Sequence, residues 1–127
     1  MTGPTTWTDD ELTRIGDAEE LDISVSSPDG SPGRPTSVWV VRVGNDLYVR
    51  SWRGASGRWY QRARASGEGR VRADGVESDV RFTAPDPGRR DAIDQAYRGK
   101  YGRHGDTYVG PMVGEQAAAT TLQLVPR

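Results

Sequence analysis

Two dipeptides, Gly44-Asn45 and Asp74-Gly75, each lie between two runs of residues that favour β-strands. Glycine, asparagine and aspartate accept the positive φ angles that two-residue hairpin turns require, so each dipeptide predicts a tight turn. Strands joined in this way must pair antiparallel. The chain is therefore committed to at least two hairpins, and long helices are confined to what remains.

The register of the first hairpin divides its side chains between two faces of the sheet. With the turn at Gly44-Asn45, Val43 lies opposite Asp46, and Val41 lies opposite Tyr48. The face predicted to be core carries Val38, Val40, Leu47, Val49 and Ser51. The other face, predicted to be a site or an interface with Arg50 over Trp39, carries Trp39, Val41, Tyr48, Arg50 and Trp52.

The second hairpin places opposite charges across from each other. Its predicted cross-strand pairs are Arg72 with Glu77, Arg70 with Asp79, and Glu68 with Arg81. Such pairs stabilise antiparallel strands, so Arg70 and Arg72 need no ligand to explain them.

Helical patterns occupy the rest of the chain. Thr8 and Glu11 form a capping box, in which each side chain bonds the other residue's backbone N–H. Asp94 precedes Arg98 by four residues, the favourable order for an ion pair on a helix. The predicted helices are a segment of residues 9–14 ended by Gly16, two turns over 59–65, a main helix from Asp86-Pro87 to Gly102, and one turn at 114–119.

Two further strands, residues 21–25 and 120–125, bring the predicted total to six, while residues 27–35 read as a loop. The 127 residues, of which 34% are hydrophobic, are enough for one modest core. Helices this short cannot cover both faces of the sheet. The prediction is a single domain over residues 1–127 in the mainly β (α+β) class: a small closed or partly closed antiparallel β-barrel with three or four short helices.

Composition removes several classes of function. The chain has no cysteine, so thiol chemistry, disulfides and cysteine metal sites are excluded. One histidine and few clustered carboxylates argue against a metal site. The polar, acidic N-terminus does not resemble a secretory signal, and no apolar run approaches the ~20 residues of a membrane span. We expect a cytoplasmic protein that does not bind membranes.

Residues 50–64, RSWRGASGRWYQRAR, contain five arginines and no acid in a chain whose net charge is −1. Guanidinium groups bind phosphate through two parallel hydrogen bonds, and a glycine-rich turn into a helix adds backbone N–H donors. Neighbouring aromatics can lie against a planar ring. The segment predicts a bound anion, such as a phosphorylated cofactor. The alternative is a solvated arginine-rich loop whose aromatics belong to the core.

Two other hypotheses carry less weight. Aromatics among arginines can bind single-stranded nucleic acid, but the sequence pI of about 5.8 argues against the broad basic face that such domains present. His104 is a weak candidate for a general acid or base. Residues 9–22 contain seven acids, whereas residues 50–64 are wholly basic. Patches of opposite charge suggest self-docking or dimerisation; the alternative, which carries more weight, is that both are solvated faces.

The motifs LYVRS, WYQRARASGEGRVRADG and AYRGKYG resemble the flavin- and deazaflavin-binding split β-barrel superfamily, which includes deazaflavin-dependent nitroreductases and pyridoxamine-phosphate-oxidase-like proteins. The motifs W-T-x-x-E-L, V-W-V-V-R-V-G-x-D-L-Y-V-R-S and T-T-L-x-L-V-P are similar to those of a bacterial family of uncharacterised function within it. The resemblance implies a split barrel, a homodimer and a cofactor such as FMN or an 8-hydroxy-5-deazaflavin.

Carried over by position, the resemblance implies a set of site residues. Those for the cofactor phosphate and its surroundings are Arg50, Ser51, Arg58, Trp59, Tyr60, Arg62 and Arg64. The ring would lie near Trp39 or Tyr48. The expected function is that of an oxidoreductase acting on a small molecule; the alternative is a barrel that binds no cofactor and acts as an isomerase, a cyclase or a small-ligand-binding protein.

Overall fold

The computed structural model describes residues 6–25 and 33–127, so part of the predicted loop at residues 27–35 lies outside the described residues. Within these ranges the chain forms seven strands and five α-helices. The strands are β1 (Leu21–Val25), β2 (Thr36–Val38), β3 (Val40–Val43), β4 (Asp46–Val49), β5 (Glu68–Ala73), β6 (Val76–Thr83) and β7 (Leu122–Pro126). The helices are α1 (Asp9–Asp17), α2 (Arg58–Ser66), α3 (Arg90–Tyr101), α4 (Asp106–Val113) and α5 (Glu115–Ala118).

All seven strands belong to one antiparallel sheet, in the order β2-β1-β5-β6-β7-β4-β3. The two edge strands, β2 and β3, follow each other in the chain and are separated by Trp39 alone. The sheet must therefore curl until its edges meet, which gives the predicted mainly β barrel. The predicted count of six strands was too low by one, because the continuous β-rich run around Trp39 divides between two partners, β1 and β4.

Both predicted hairpins are confirmed in type and register. Val43 pairs with Asp46 and Val41 with Tyr48 in the first, and Arg70 pairs with Asp79 in the second. Gly44 and both residues of the second turn have positive φ angles, as two-residue turns of this kind require. Arg70 also bonds Glu77 at 3.0 Å, so its charge is satisfied within the hairpin.

The barrel interior and the space beneath the helices form two separate cores. The interior holds the predicted apolar face of the first hairpin, together with β1, β5, β6, β7 and residues of α1 and α2. The second core lies outside the sheet, where α3 and α4 cover part of the face that was predicted to be a site or an interface. Its members are Val41, Tyr48, Ile93, Tyr97, Tyr101, Val109 and Met112. Val41, Tyr48 and Arg50 of that face are therefore buried, while Trp39 stays partly exposed and Trp52 largely exposed.

The helix ends follow the predicted chemistry at two places. Thr8 and Glu11 form both bonds of the capping box, although α1 continues past Gly16 to Asp17. Asp86 accepts a bond from the N–H of Gly88, and Pro87 begins a 3₁₀ turn that leads into α3. The predicted pair of Asp94 with Arg98 was wrong.

The junction at Trp39 is fixed by the C-terminal turn of α3. The Trp39 indole stacks on the Tyr101 ring with centroids 4.0 Å apart. The Tyr101 hydroxyl accepts from the Val40 N–H at 3.1 Å, and its proton serves the carbonyl of either Val40 or Glu19. Lys100 Nζ donates to the same Val40 carbonyl at 2.7 Å. Burial lowers the pKa of Lys100 to about 8.

We expect Lys100→Met to change how stability depends on pH. Between about pH 8 and about pH 10.4 the unfolded chain keeps a lysine proton that the folded protein has released, so the wild-type free energy of unfolding rises with pH. After allowance for solvent screening the rise is about 1 kcal/mol. Urea unfolding at both ends of this window should show the rise in the wild type and its loss in the variant. Equal slopes in both proteins would show that Lys100 is not the group responsible.

Candidate ligand-binding site

The side chain of Arg50 was expected to meet a ligand phosphate. It is completely buried between the outer face of the barrel sheet and the helices α3 and α4. Nη1 donates to Asp94 Oδ1 at 2.6 Å and to the Met112 carbonyl at 2.9 Å, and Nε donates to Thr121 Oγ1 at 2.8 Å. Its guanidinium lies over the Tyr97 ring at 5.3 Å rather than over an indole. These contacts join β4 to α3, α4 and β7.

Two details of the ion pair between Arg50 and Asp94 concern the rest of the site. Asp94 turns toward Arg50 and, at 3.8 Å, toward Arg90, which leaves Arg98 outside the pair. Arg50 Nη2 is buried and has no hydrogen-bond partner among the described residues. Arg50 forms part of the inner wall of a neighbouring cleft, so an unsatisfied donor belongs to a residue of that wall.

This cleft, of about 430 Å³, lies between β2 and the N-terminus of α2. We call it the basic cleft. Its polar lining comes mainly from the segment that was singled out in the sequence: Ser51, Arg53, Ser56, Gly57, Arg58 and Trp59. Neither Arg53 nor Arg58 has a carboxylate within 4 Å among the described residues. The lining contains no Asp, Glu or His, so the cleft is electropositive.

The glycines around the cleft bring its walls close together. Ser51 is buried, and its backbone N–H donates to Thr120 Oγ1 at 2.8 Å. A Cβ built on Gly57 would collide with Ser51 Oγ, so only glycine lets the helix start approach this hydroxyl. Gly57 is also the N-cap of α2 and offers no capping side chain. The first N–H groups of α2 are consequently left to solvent or to an anion.

An apolar surface adjoins the basic cleft and shares Ser37 and Trp52 with it. We call it the aromatic shelf; its residues are Ser37, Trp39, Trp52, Tyr108 and Met112. Trp52 and Tyr108 are 53% and 56% exposed, which is unusual for large apolar side chains on a small protein. Trp52 Nε1 donates to the Tyr108 carbonyl at 3.3 Å, so the two aromatics are tied together.

The structure brings some predicted site residues together and separates others. Ser51, Arg58 and Trp59 line the basic cleft, while Trp39 lies on the shelf. Arg62 lines an adjacent cleft that also contains Arg58 and Trp59.

Three of the predicted residues lie away from these surfaces. Tyr48 is buried beneath α3, and burial raises the pKa of its hydroxyl. Tyr60 packs in the barrel core, and its hydroxyl accepts a bond from Arg64 Nη1 at 3.1 Å. Arg64 is exposed on the later turns of α2 and lies over the Tyr60 ring at 5.9 Å.

His104 lies at the end of α3, outside the basic cleft and the shelf. Its Nε2 is 2.6 Å from Glu19 Oε1, and Arg103 bonds the other oxygen of the same carboxylate. The bond from His104 and the charge of Arg103 lower the pKa of Glu19. The imidazole also stacks near Trp39, with centroids 5.4 Å apart. His104 thus joins the end of α1 to the end of α3.

Sequence reasoning did not predict the part of the aromatic shelf that α4 contributes. Tyr108 and Met112 lie on α4, a helix that was not predicted because Gly110 and Pro111 interrupt its pattern. Burial of Val109 and Met112 against the outer core stabilises it instead. Trp52, by contrast, was visible within the arginine-rich segment.

The fold of this chain is similar to the folds of several solved structures. Among solved structures it is similar to an FAD-binding protein from Mesorhizobium loti, with 20% identity and a TM-score of 0.55 over 95% of this chain and 89% of that one. It is also similar to the heme storage protein HutZ from Vibrio cholerae, with 12% identity and a TM-score of 0.58 over 94% and 89% of the two chains.

A third similar structure is the FAD and heme binding protein from Mycobacterium smegmatis, with 14% identity and a TM-score of 0.52 over 96% of this chain and 67% of that one. No curated protein sequence matches the chain significantly. The chain belongs to a bacterial family described as "uncharacterized protein conserved in bacteria" (DUF2255), whose sequence model matches residues 11–124. None of the helices in the described ranges is long and apolar enough to cross a membrane.

We expect Arg50→Ala to destabilise the protein by about 3–5 kcal/mol, because it leaves Asp94 as a largely buried charge without its main partner. Urea unfolding measures the loss, and Arg70→Ala, which breaks exposed cross-strand pairs, serves as the control with a loss of about 0.2–1 kcal/mol. Comparable losses in the two variants would contradict the structural role of Arg50.

Proposed function

We propose that the protein binds a flavin or deazaflavin, with the phosphate of the cofactor in the basic cleft and its ring on the aromatic shelf. The observation that carries the proposal is the contact between the two surfaces. An electropositive cleft and an apolar, aromatic platform share Ser37 and Trp52, so a ligand with one anionic end and one planar end matches both at once.

The charges of α2 support a bound anion. A helix N-terminus carries partial positive charge, so Arg58 at the first helical position opposes the helix dipole, and the first turn contains no acid. The folded protein therefore maintains an unfavourable arrangement of charge there. A phosphate would meet Arg58, Arg53, the free N–H groups of α2 and the hydroxyl of Ser51 together.

The available donors favour a flavin over heme. His104 is the only histidine of the chain, and its Nε2 lies against Glu19. A flavin needs no metal ligand from the protein, and the residues of the basic cleft fit one, because Gly57 allows the start of α2 to approach the hydroxyl of Ser51 closely.

The finer part of the proposal is an oxidoreductase that acts on a small molecule. When bound, a flavin or deazaflavin supplies hydride transfer. The described lining of cleft and shelf contains no acid or histidine, so the chain's own contribution is to bind the phosphate, orient the ring against Trp52 and Tyr108, and keep water from one ring face. The substrate would approach the other face.

Tryptophan fluorescence during titration with FMN, riboflavin and an 8-hydroxy-5-deazaflavin tests the proposal. FMN should quench at lower concentration than riboflavin, and Arg58→Gln should weaken FMN binding about 10-fold or more, the equivalent of one charge-assisted hydrogen bond. Arg70→Gln, whose charge is satisfied in the second hairpin, should bind FMN like the wild type. Absence of binding by all three compounds would refute the proposal.

A stability measurement separates this role from a structural one. Arg58→Glu should raise the free energy of unfolding of the ligand-free protein by about 0.3–1 kcal/mol, because an acid at a helix N-terminus is favoured by the dipole. The same variant should lose FMN binding. If Arg58→Glu destabilises the ligand-free protein instead, the arginine has a structural partner, and the argument from charge fails.

A further inference from the structure

The basic cleft continues beyond Arg58 into a second cleft of about 350 Å³. The two share Thr36, Arg58 and Trp59. We call the second one the arginine cleft, because Arg34, Arg58 and Arg62 line it above an apolar floor that includes Ile23 and Val25. Among the described residues, none of these three arginines has a carboxylate within 4 Å.

Some other surface arginines are paired with acids, whereas the exposed Arg42, Arg81 and Arg98 have no carboxylate within 4 Å in the part of the chain that the structure describes. Arg14 bonds Asp10, Arg70 bonds Glu77 and Asp79, and Arg127 bonds Glu68, all at 3.0 Å. The arginine cleft differs from these separate surface positions because three arginines line one concavity, and its described lining contains no carboxylate. Three like charges around one small cleft repel each other, and an anion between them relieves that repulsion.

The placement of the arginines indicates two anionic positions. Arg58 and Arg62 stand four residues apart on the same face of α2, about 6 Å along its axis. Arg53 lines only the basic cleft, whereas Arg34 and Arg62 line only the arginine cleft. A single phosphate in the basic cleft leaves the arginine cleft unoccupied, while two linked phosphates on either side of Arg58 occupy both.

We propose that the ligand carries a diphosphate, as a flavin dinucleotide does, with its second phosphate held in the arginine cleft by Arg34, Arg58 and Arg62. This inference rests on the proposed function for the position of the ring and the first phosphate. It makes Arg62 a residue that determines specificity between cofactors with one phosphate and cofactors with two. Arg58, shared by both clefts, contacts both phosphates.

The test compares FMN and FAD binding by the wild type, Arg62→Gln and Arg53→Gln, again by tryptophan quenching. The wild type should bind FAD more tightly than FMN. Arg62→Gln should lose about 10-fold in FAD affinity, the effect of one charge-assisted hydrogen bond, while its FMN affinity stays within about 2-fold. Arg53→Gln, the matched control from the other cleft, should weaken both to the same extent.

Equal binding of FMN and FAD to the wild type, or an equal loss of both in Arg62→Gln, would overturn the inference and leave the proposed function intact. If no flavin binds, the proposed function fails, and inorganic pyrophosphate then decides the inference by itself. Pyrophosphate should raise the unfolding temperature of the wild type more than orthophosphate does, and Arg62→Gln should remove the difference. Identical shifts with both anions in the wild type would overturn it.

Discussion

Closure of the barrel through one residue is the constraint on which the rest of the structure depends. Since β2 and β3 are the two edges of the sheet and only Trp39 separates them, the chain has no freedom to leave the sheet open and flat. The backbone at this point cannot continue one regular ladder. Its polar groups are satisfied from α3 instead, by the Tyr101 hydroxyl and the Lys100 ammonium at Val40. The final turn of α3 is therefore as much a part of the closure as the strands are.

The second core, outside the sheet, is bordered by the ion pair of Arg50 with Asp94. Arg50 belongs by sequence to the arginine-rich segment, but it directly follows β4 and lies under α3 and α4. There it donates to Asp94, to the Met112 carbonyl and to the Thr121 hydroxyl. The strand β4 ends at Val49, the chain turns at Trp52, and the arginines after this turn remain exposed. One stretch of sequence thus supplies both an internal ion pair and an external electropositive surface. The change from one role to the other occurs between Arg50 and Arg53.

Local signals in the sequence predicted the features that local interactions determine. The hairpin turns, the capping box and the cross-strand pairs of Arg70 each depend on residues within about ten positions of one another, and all are present. Asp94 was assigned to the wrong arginine because its partner is 44 residues away. The break at Trp39 was missed because it follows from the choice of two different neighbouring strands, and α4 because tertiary burial compensates for its glycine and proline.

The candidate site could be predicted only as a segment. The sequence indicated that an anion would meet residues 50–64, and Ser51, Arg58, Trp59 and Arg62 do line adjoining clefts. It could not distinguish the inward arginine from the outward ones, since strand direction and helix cover decide that. The shelf brings together residues from three parts of the chain, and their spacing in the sequence does not predict that they meet.

Trp39 takes part in two features described above: its indole stacks on the Tyr101 ring, and it also lines the aromatic shelf. Any molecule that lies on the shelf therefore contacts the residue that joins the two edge strands, β2 and β3. By thermodynamic reciprocity, a ligand that binds more tightly when the indole is stacked also stabilises the junction of β2 and β3, and opening of that junction lowers the affinity for the ligand by the same factor.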